Sequence, residues 1–205
     1  MKLRALRTAM ATLATFAILA GSAAPVLAST THVAASPRGA RFDVPSTLDV
    51  RGEAALARVR FDWRAALPGW QVVFLPPRRG YLGLTLRRQK RIEIYVRNDR
   101  STSAIAHDVA HELGHAVDVT YNDESTRAKY LELRQLTATT PWWTCNGCTD
   151  LDVGAGDFAE TFSAWAAPSS LFYSRVQTAP SAAQLSAIEA AVYPVEVTRS
   201  AHAAA

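Results

Sequence analysis

Residues 101–119 read STSAIAHDVAHELGHAVDV, and this stretch decides the fold. Ser101, Thr102 or Ser103 can cap a helix, and Ile105, Val109, Leu113 and Val117 then recur at helical spacing, which predicts a helix to about Val119. Inside it lies His111-Glu112-Leu113-Gly114-His115, an H-E-x-x-H pattern. Helical spacing sets the two imidazoles one turn apart on one face, where both reach a single Zn²⁺. Glu112 falls about 100° around the helix from His111, beside a metal-bound water rather than on the metal. Zinc lowers the pKa of such a water to about 7, and the glutamate takes its proton as it attacks a carbonyl. His107 continues the histidine stripe one turn earlier and is a candidate for substrate or oxyanion contact; an exposed histidine at the helix start is the plainer alternative. Asp118, three residues past His115, either accepts a hydrogen bond near the site or sits in the turn.

Upstream, Leu48 to Leu67 reads as one helix stopped by Pro68-Gly69, with Leu56, Val59 and Trp63 at helical spacing. Trp70 to Leu75, Tyr81 to Leu86 and Arg91 to Val96 are β-rich, and the last alternates like a half-buried edge strand. Cations crowd residues 78–100 without an aromatic stacking pattern, which fits a solvated hairpin whose charges discourage sheet-to-sheet pairing. Downstream, Ser125 to Leu136 and Asp157 to Ala167 read as helices, separated by a loop over residues 137–156. A last helix covers residues 181–192. Gly114 leaves space for another backbone near the metal site. Trp63, Trp70 and Trp165 read as core, and Trp142-Trp143 as a pair packing their loop onto the domain, with a substrate-binding wall near the zinc as the alternative.

These features resemble the zincin metallopeptidases of the gluzincin branch, similar in particular to the anthrax lethal factor-like and Pro-Pro endopeptidase groups. The matching residues are the strand before the helix, His111 to Asp118, and Asp157-Phe158-Ala159-Glu160-Thr161-Phe162 downstream. The resemblance spans residues 70–167, and only the H-E-x-x-H is highly specific. It implies an α+β, zincin-like fold: a small twisted, mostly antiparallel sheet packed on the motif helix, with a helical C-terminal half. It also implies a third zinc ligand from a following helix that reads E-x-x-A-E. Aligning Ala159-Glu160 with the final pair puts Gly156 at the ligand position, and glycine has no side chain to ligate. Glu160, with the longer reach, or Asp157 then becomes the third ligand, and the other orients a histidine. The tyrosine that the lethal factor-like group places before its third ligand is missing; Tyr173, beyond the helix, is a candidate, with a structural tyrosine as the preferred reading.

Composition sets the boundaries. With 49% hydrophobic and 20% charged residues in 205, the chain can bury a core, and its length favours one domain. Lys2, Arg4 and Arg7, an apolar run, and Val26-Leu27-Ala28 read as an export signal over residues 1–28. Residues 29–45 read as a flexible leader, 46–195 as the domain, and 196–205 as a disordered tail. Removing the signal takes the charge from 22 − 18 = +4 to 19 − 18 = +1, which argues against a nucleic-acid partner. After export, Cys145 and Cys148 fit a short disulfide across a tight turn. The expectation is a secreted monomer with one Zn²⁺ per chain, free of the membrane after signal cleavage, hydrolysing peptide bonds. The alternatives are an inactive zincin-fold binding protein or a zinc hydrolase of a non-peptide bond.

Overall fold

A computed structural model of the chain describes residues 46–143 and 149–204. The export signal, the leader and the Cys145/Cys148 pair lie outside the described residues, which form an α+β arrangement of seven helices and a three-stranded sheet. Helix α1 (Thr47–Leu56) opens on a reciprocal cap, in which the Ser46 hydroxyl accepts from the Asp49 amide and Asp49 accepts from the Ser46 amide. The single helix predicted to Leu67 breaks after α1. Asp62 accepts from the Ala65 amide and starts α2 (Trp63–Ala66), while the Arg60 amide donates to the Ala166 carbonyl. The break turns Phe61 and Trp63 into the core, 3% and 8% exposed.

Strands β1 (Gln71–Leu75), β2 (Gly83–Leu86) and β3 (Arg91–Tyr95) lie in the order β1-β3-β2. β3 runs parallel to β1 and antiparallel to β2, so the sheet is mixed rather than mostly antiparallel. Arg91 to Val96 is therefore central, not an edge. Burial explains this: Ile92, Ile94 and Val96 are fully buried, and a strand so apolar is best covered between two neighbours. A 3₁₀ turn (Arg87–Gln89), completed by Lys90 at φ 47°, folds β2 back as the edge.

Helix α3 (Thr102–Tyr121) carries the histidines and is capped by the Ser101 hydroxyl on the Ala104 amide. Asp123 caps α4 (Glu124–Leu133). A 3₁₀ turn (Asp150–Asp152) leads into α5 (Gly154–Ala166). α5 starts earlier than its sequence suggests, because the Pro141 and Trp142 carbonyls accept from its Gly154 and Ala155 amides. After α6 (Ala182–Ala191), the segment predicted as a tail forms α7 (Val195–Ala204), with Val197 buried and the helix packed on α2. No described helix is long and apolar enough to cross a membrane.

α3 lies between the sheet, which offers β2 and β3, and α5. Gly114 allows the α5 side of this sandwich. A Cβ there would lie 2.9 Å from Ala159 Cα and 3.0 Å from Phe162 Cβ. Gly114→Ala is expected to cost about 1–3 kcal/mol through overpacking, measured as a lower urea midpoint with an unchanged slope.

Candidate metal centre

His111 and His115 stand edge to face on α3, with ring centroids 4.9 Å apart. Asp150, opening the 3₁₀ turn, brings Oδ2 to 3.0 Å from His111 Nε2 and 3.2 Å from His115 Nε2. In a tetrahedral zinc site with bonds of 2.0–2.2 Å, donor atoms stand about 3.4 Å apart, which the two Asp150–histidine distances approach. Two imidazole nitrogens and one carboxylate oxygen suit zinc better than magnesium or calcium, which favour all-oxygen sites.

Glu160 occupies the other side of His111. Its Oε1 is 2.7 Å from His111 Nδ1, and its Oε2 accepts the Tyr173 amide at 2.5 Å. It therefore faces the nitrogen opposite the one Asp150 meets, where a carboxylate fixes the tautomer and ring orientation of a metal-binding histidine. Asp157 does not reach the imidazoles. Its fully buried carboxylate accepts from Arg134 at 2.8 and 3.1 Å, Tyr130 at 2.6 Å and Ser174 at 2.6 Å. The reason is the buried guanidinium of Arg134, 1% exposed, which needs a countercharge inside the core.

Asp150 was not among the ligands suggested by the sequence, yet a signal for it exists in Gly156. A Cβ at 156 would overlap the Asp150 carbonyl oxygen and lie 3.0 Å from Asp150 Oδ2. The glycine that looks like a lost ligand on α5 is the seat of the turn carrying Asp150. The turn is further tied by Thr149, whose amide and hydroxyl both donate to the Asp152 carboxylate, at 2.8 and 2.7 Å.

Glu112 is nearly buried at the cleft wall. The Thr85 hydroxyl lies 2.7 Å from its Oε2 and 2.9 Å from its backbone carbonyl. A Cβ on Gly83 would lie 2.5 Å from Glu112 Cγ, so β2 can pass over this carboxylate only with glycine there. Burial raises the Glu112 pKa, with the charges of His115 and His111 pulling the other way. His107 is 1% exposed, not solvent-facing. Its Nε2 is 3.3 Å from Glu160 Oε2 and its ring meets Tyr173 edge to face. Tyr173 thus touches the site through its amide and ring. Asp118, fully buried, accepts from Trp142 Nε1 at 2.9 Å and Arg127 Nε at 3.1 Å, anchoring the loop before Asp150. Trp142 packs as predicted, against Tyr130 and Phe158, whereas Trp143 is 48% exposed and lines the cleft. The cleft, about 800 Å³, is walled by β2, α3 and the Asp150 turn, with Tyr173 and Arg175 at its side.

Comparison of the chain with protein-family models, curated proteins and solved structures finds no match.

The cluster makes stability depend on pH in a signed way. Burial favours neutral His111, but its bonds to Asp150 and Glu160 outweigh this and raise its pKa well above 6.5. Burial likewise favours neutral Glu160, yet the adjacent imidazoles of His107 and His111 hold it at about 2 instead of 4.5. The histidine contribution is full below about pH 6.5 and fades as pH rises through the raised value; the glutamate contribution is full above about 4.5 and fades toward 2. Metal-free protein is expected to melt highest near pH 5–6. Zinc, which displaces the His111 proton, should move that optimum upward in a thermal series with and without the metal.

Proposed function

We propose that this chain is an exported zinc-dependent peptidase of the zincin type, with His111, His115 and Asp150 as metal ligands and Glu112 as general base. The observation that carries this reading is the convergence of both Nε2 atoms on one Asp150 oxygen, on the helix that also bears Glu112. It supplies a third ligand where the α5 pattern has glycine, which weakens the case for an inactive relative. Glu160 serves His111 through Nδ1, and His107 with the Tyr173 amide holds Glu160 in turn.

Zinc, when bound, supplies Lewis acidity that makes water acidic and polarises the substrate carbonyl. Glu112 takes the proton from the attacking water as its oxygen bonds to the carbonyl carbon. It then delivers that proton to the amine as the C–N bond breaks, leaving a carboxylic acid and an amine. The raised pKa of Glu112 suits a group that must both accept and return a proton. Thr85 and Gly83 fix where that carboxylate stands. A peptide substrate is favoured by β2, which among the described residues has a strand partner on one side only and borders the cleft with the other. Its unpaired amides and carbonyls fit an extended chain laid alongside.

Purified protein is expected to hold about one zinc per chain by elemental analysis, lost in His115→Ala and in Asp150→Ala. Glu160→Gln should keep the metal but bind it about 10–100-fold more weakly. Glu112→Gln should retain zinc while hydrolysis of a quenched fluorescent peptide falls by about 10²-fold or more. Gly83→Ala should also keep zinc but lose about tenfold in kcat, because it displaces the base. Full zinc with no hydrolysis of any peptide or protein would overturn the peptidase reading.

A further inference from the structure

Residues 71–91 contain six cations, Arg78, Arg79, Arg87, Arg88, Lys90 and Arg91, and no carboxylate. As sequence this is a solvated hairpin; the structure adds where the charges stand. Three are engaged: Arg91 with Glu93 at 2.9 Å, Arg78 with the Tyr95 hydroxyl at 3.0 Å, and Lys90 with the Pro68 carbonyl at 3.3 Å. Arg79, Arg87 and Arg88 are exposed, and their side chains have no ion pair or hydrogen bond among the described residues. Arg79 precedes β2 and the other two follow it directly, so they bracket the open edge that borders the cleft.

Distance gives the bracket meaning. Glu112 lies against β2 between Gly83 and Thr85, so a bond being cut lies beside that stretch. A strand advances about 3.4 Å per residue, which puts Arg87 about 10 Å beyond its centre at Leu84. A chain paired with β2 would bring side chains three to five residues from the cut bond to Arg87 and Arg88. Nearer the metal the rim carries the apolar Tyr81, Leu82 and Trp143, and its cation, Arg175, stands 3.4 Å from the Asp152 carboxylate. Among the described residues, positive charge without a carboxylate partner is therefore met at the strand end.

We propose that this cleft selects extended acidic peptide segments, whose Asp or Glu side chains, three to five residues from the cut bond, meet Arg87 and Arg88. The proposal rests on the peptidase reading and names its substrate class. A peptide is favoured over a nucleic acid because the β2 edge presents backbone donors and acceptors at peptide spacing. Exposed charge pairs of this kind contribute modestly and are screened by salt within about 10 Å at 0.1 M.

The test is binding, so it does not depend on turnover. Zinc-loaded Glu112→Gln is titrated by fluorescence anisotropy with fluorescein-labelled peptides of about twelve residues, one carrying Asp and Glu at the flanking positions and one carrying Asn and Gln there. The acidic peptide is expected to bind about fivefold tighter at about 50 mM salt, and to lose that margin at about 300 mM salt and after adding Arg87→Gln with Arg88→Gln. Equal affinities, no binding of the acidic peptide, or a margin that survives the double substitution would overturn the proposal. Tighter binding of a labelled single-stranded oligonucleotide of equal length would overturn it in favour of nucleic acid. Cleavage by the wild-type chain without acidic preference would defeat this proposal alone, whereas acidic preference in binding with no cleavage would defeat the peptidase reading alone.

Discussion

The close approach of α5 to α3 at Gly114 governs the rest of the molecule. With no side chain at 114, the Ala159 backbone and Phe162 close onto the motif helix. That proximity lets Glu160 touch His111 Nδ1 without leaving the core, and it turns Asp157 toward Arg134. Interiors packed at crystal-like density transmit a displacement of even one methyl, so the ring orientation of His111 is set by a contact one turn away.

A second glycine does comparable work on the opposite wall. Gly83 lets the edge strand cross Glu112 closely enough for Thr85 to hold it. Glu112 is thus fixed by the sheet and the His111 imidazole by α5, with α3 carrying both. A carboxylate supported only by its own helix would keep rotamer freedom; here strand and helix remove it together. The carboxylates differ in environment as well as place. Glu160 is held ionised by histidines, while burial pushes Glu112 toward its neutral form.

What was legible in the sequence follows the reach of periodicity. The α3 helix, a cap within Ser101 to Ser103 and the shared face of His111 and His115 were readable because they depend on neighbours within four residues. The strands of the sheet were readable as elements but not in order, since a central and an edge strand both alternate; only the burial on β3 separates them. Asp150 was hidden because it lies 35 residues from His115 in an irregular segment, and its partner signal is a glycine, which sequence reading counts as an absence. The break between α1 and α2 turns on an interaction with Ala166, more than a hundred residues away, and no local rule contains it.

Asp150 comes from a turn, whereas both histidines come from one rigid helix. A metal held by all three would therefore be a cross-link as well as a reagent. It would close a loop of 35 residues between His115 and Asp150 that contains all of α4. Closing such a loop removes conformational freedom from the unfolded chain, much as a disulfide between the same points would, and the loss grows only slowly with loop length. In a domain of this size that fastening matters to the fold itself, because the half that builds the cleft wall would be tied to the half that carries the base by the ion they share.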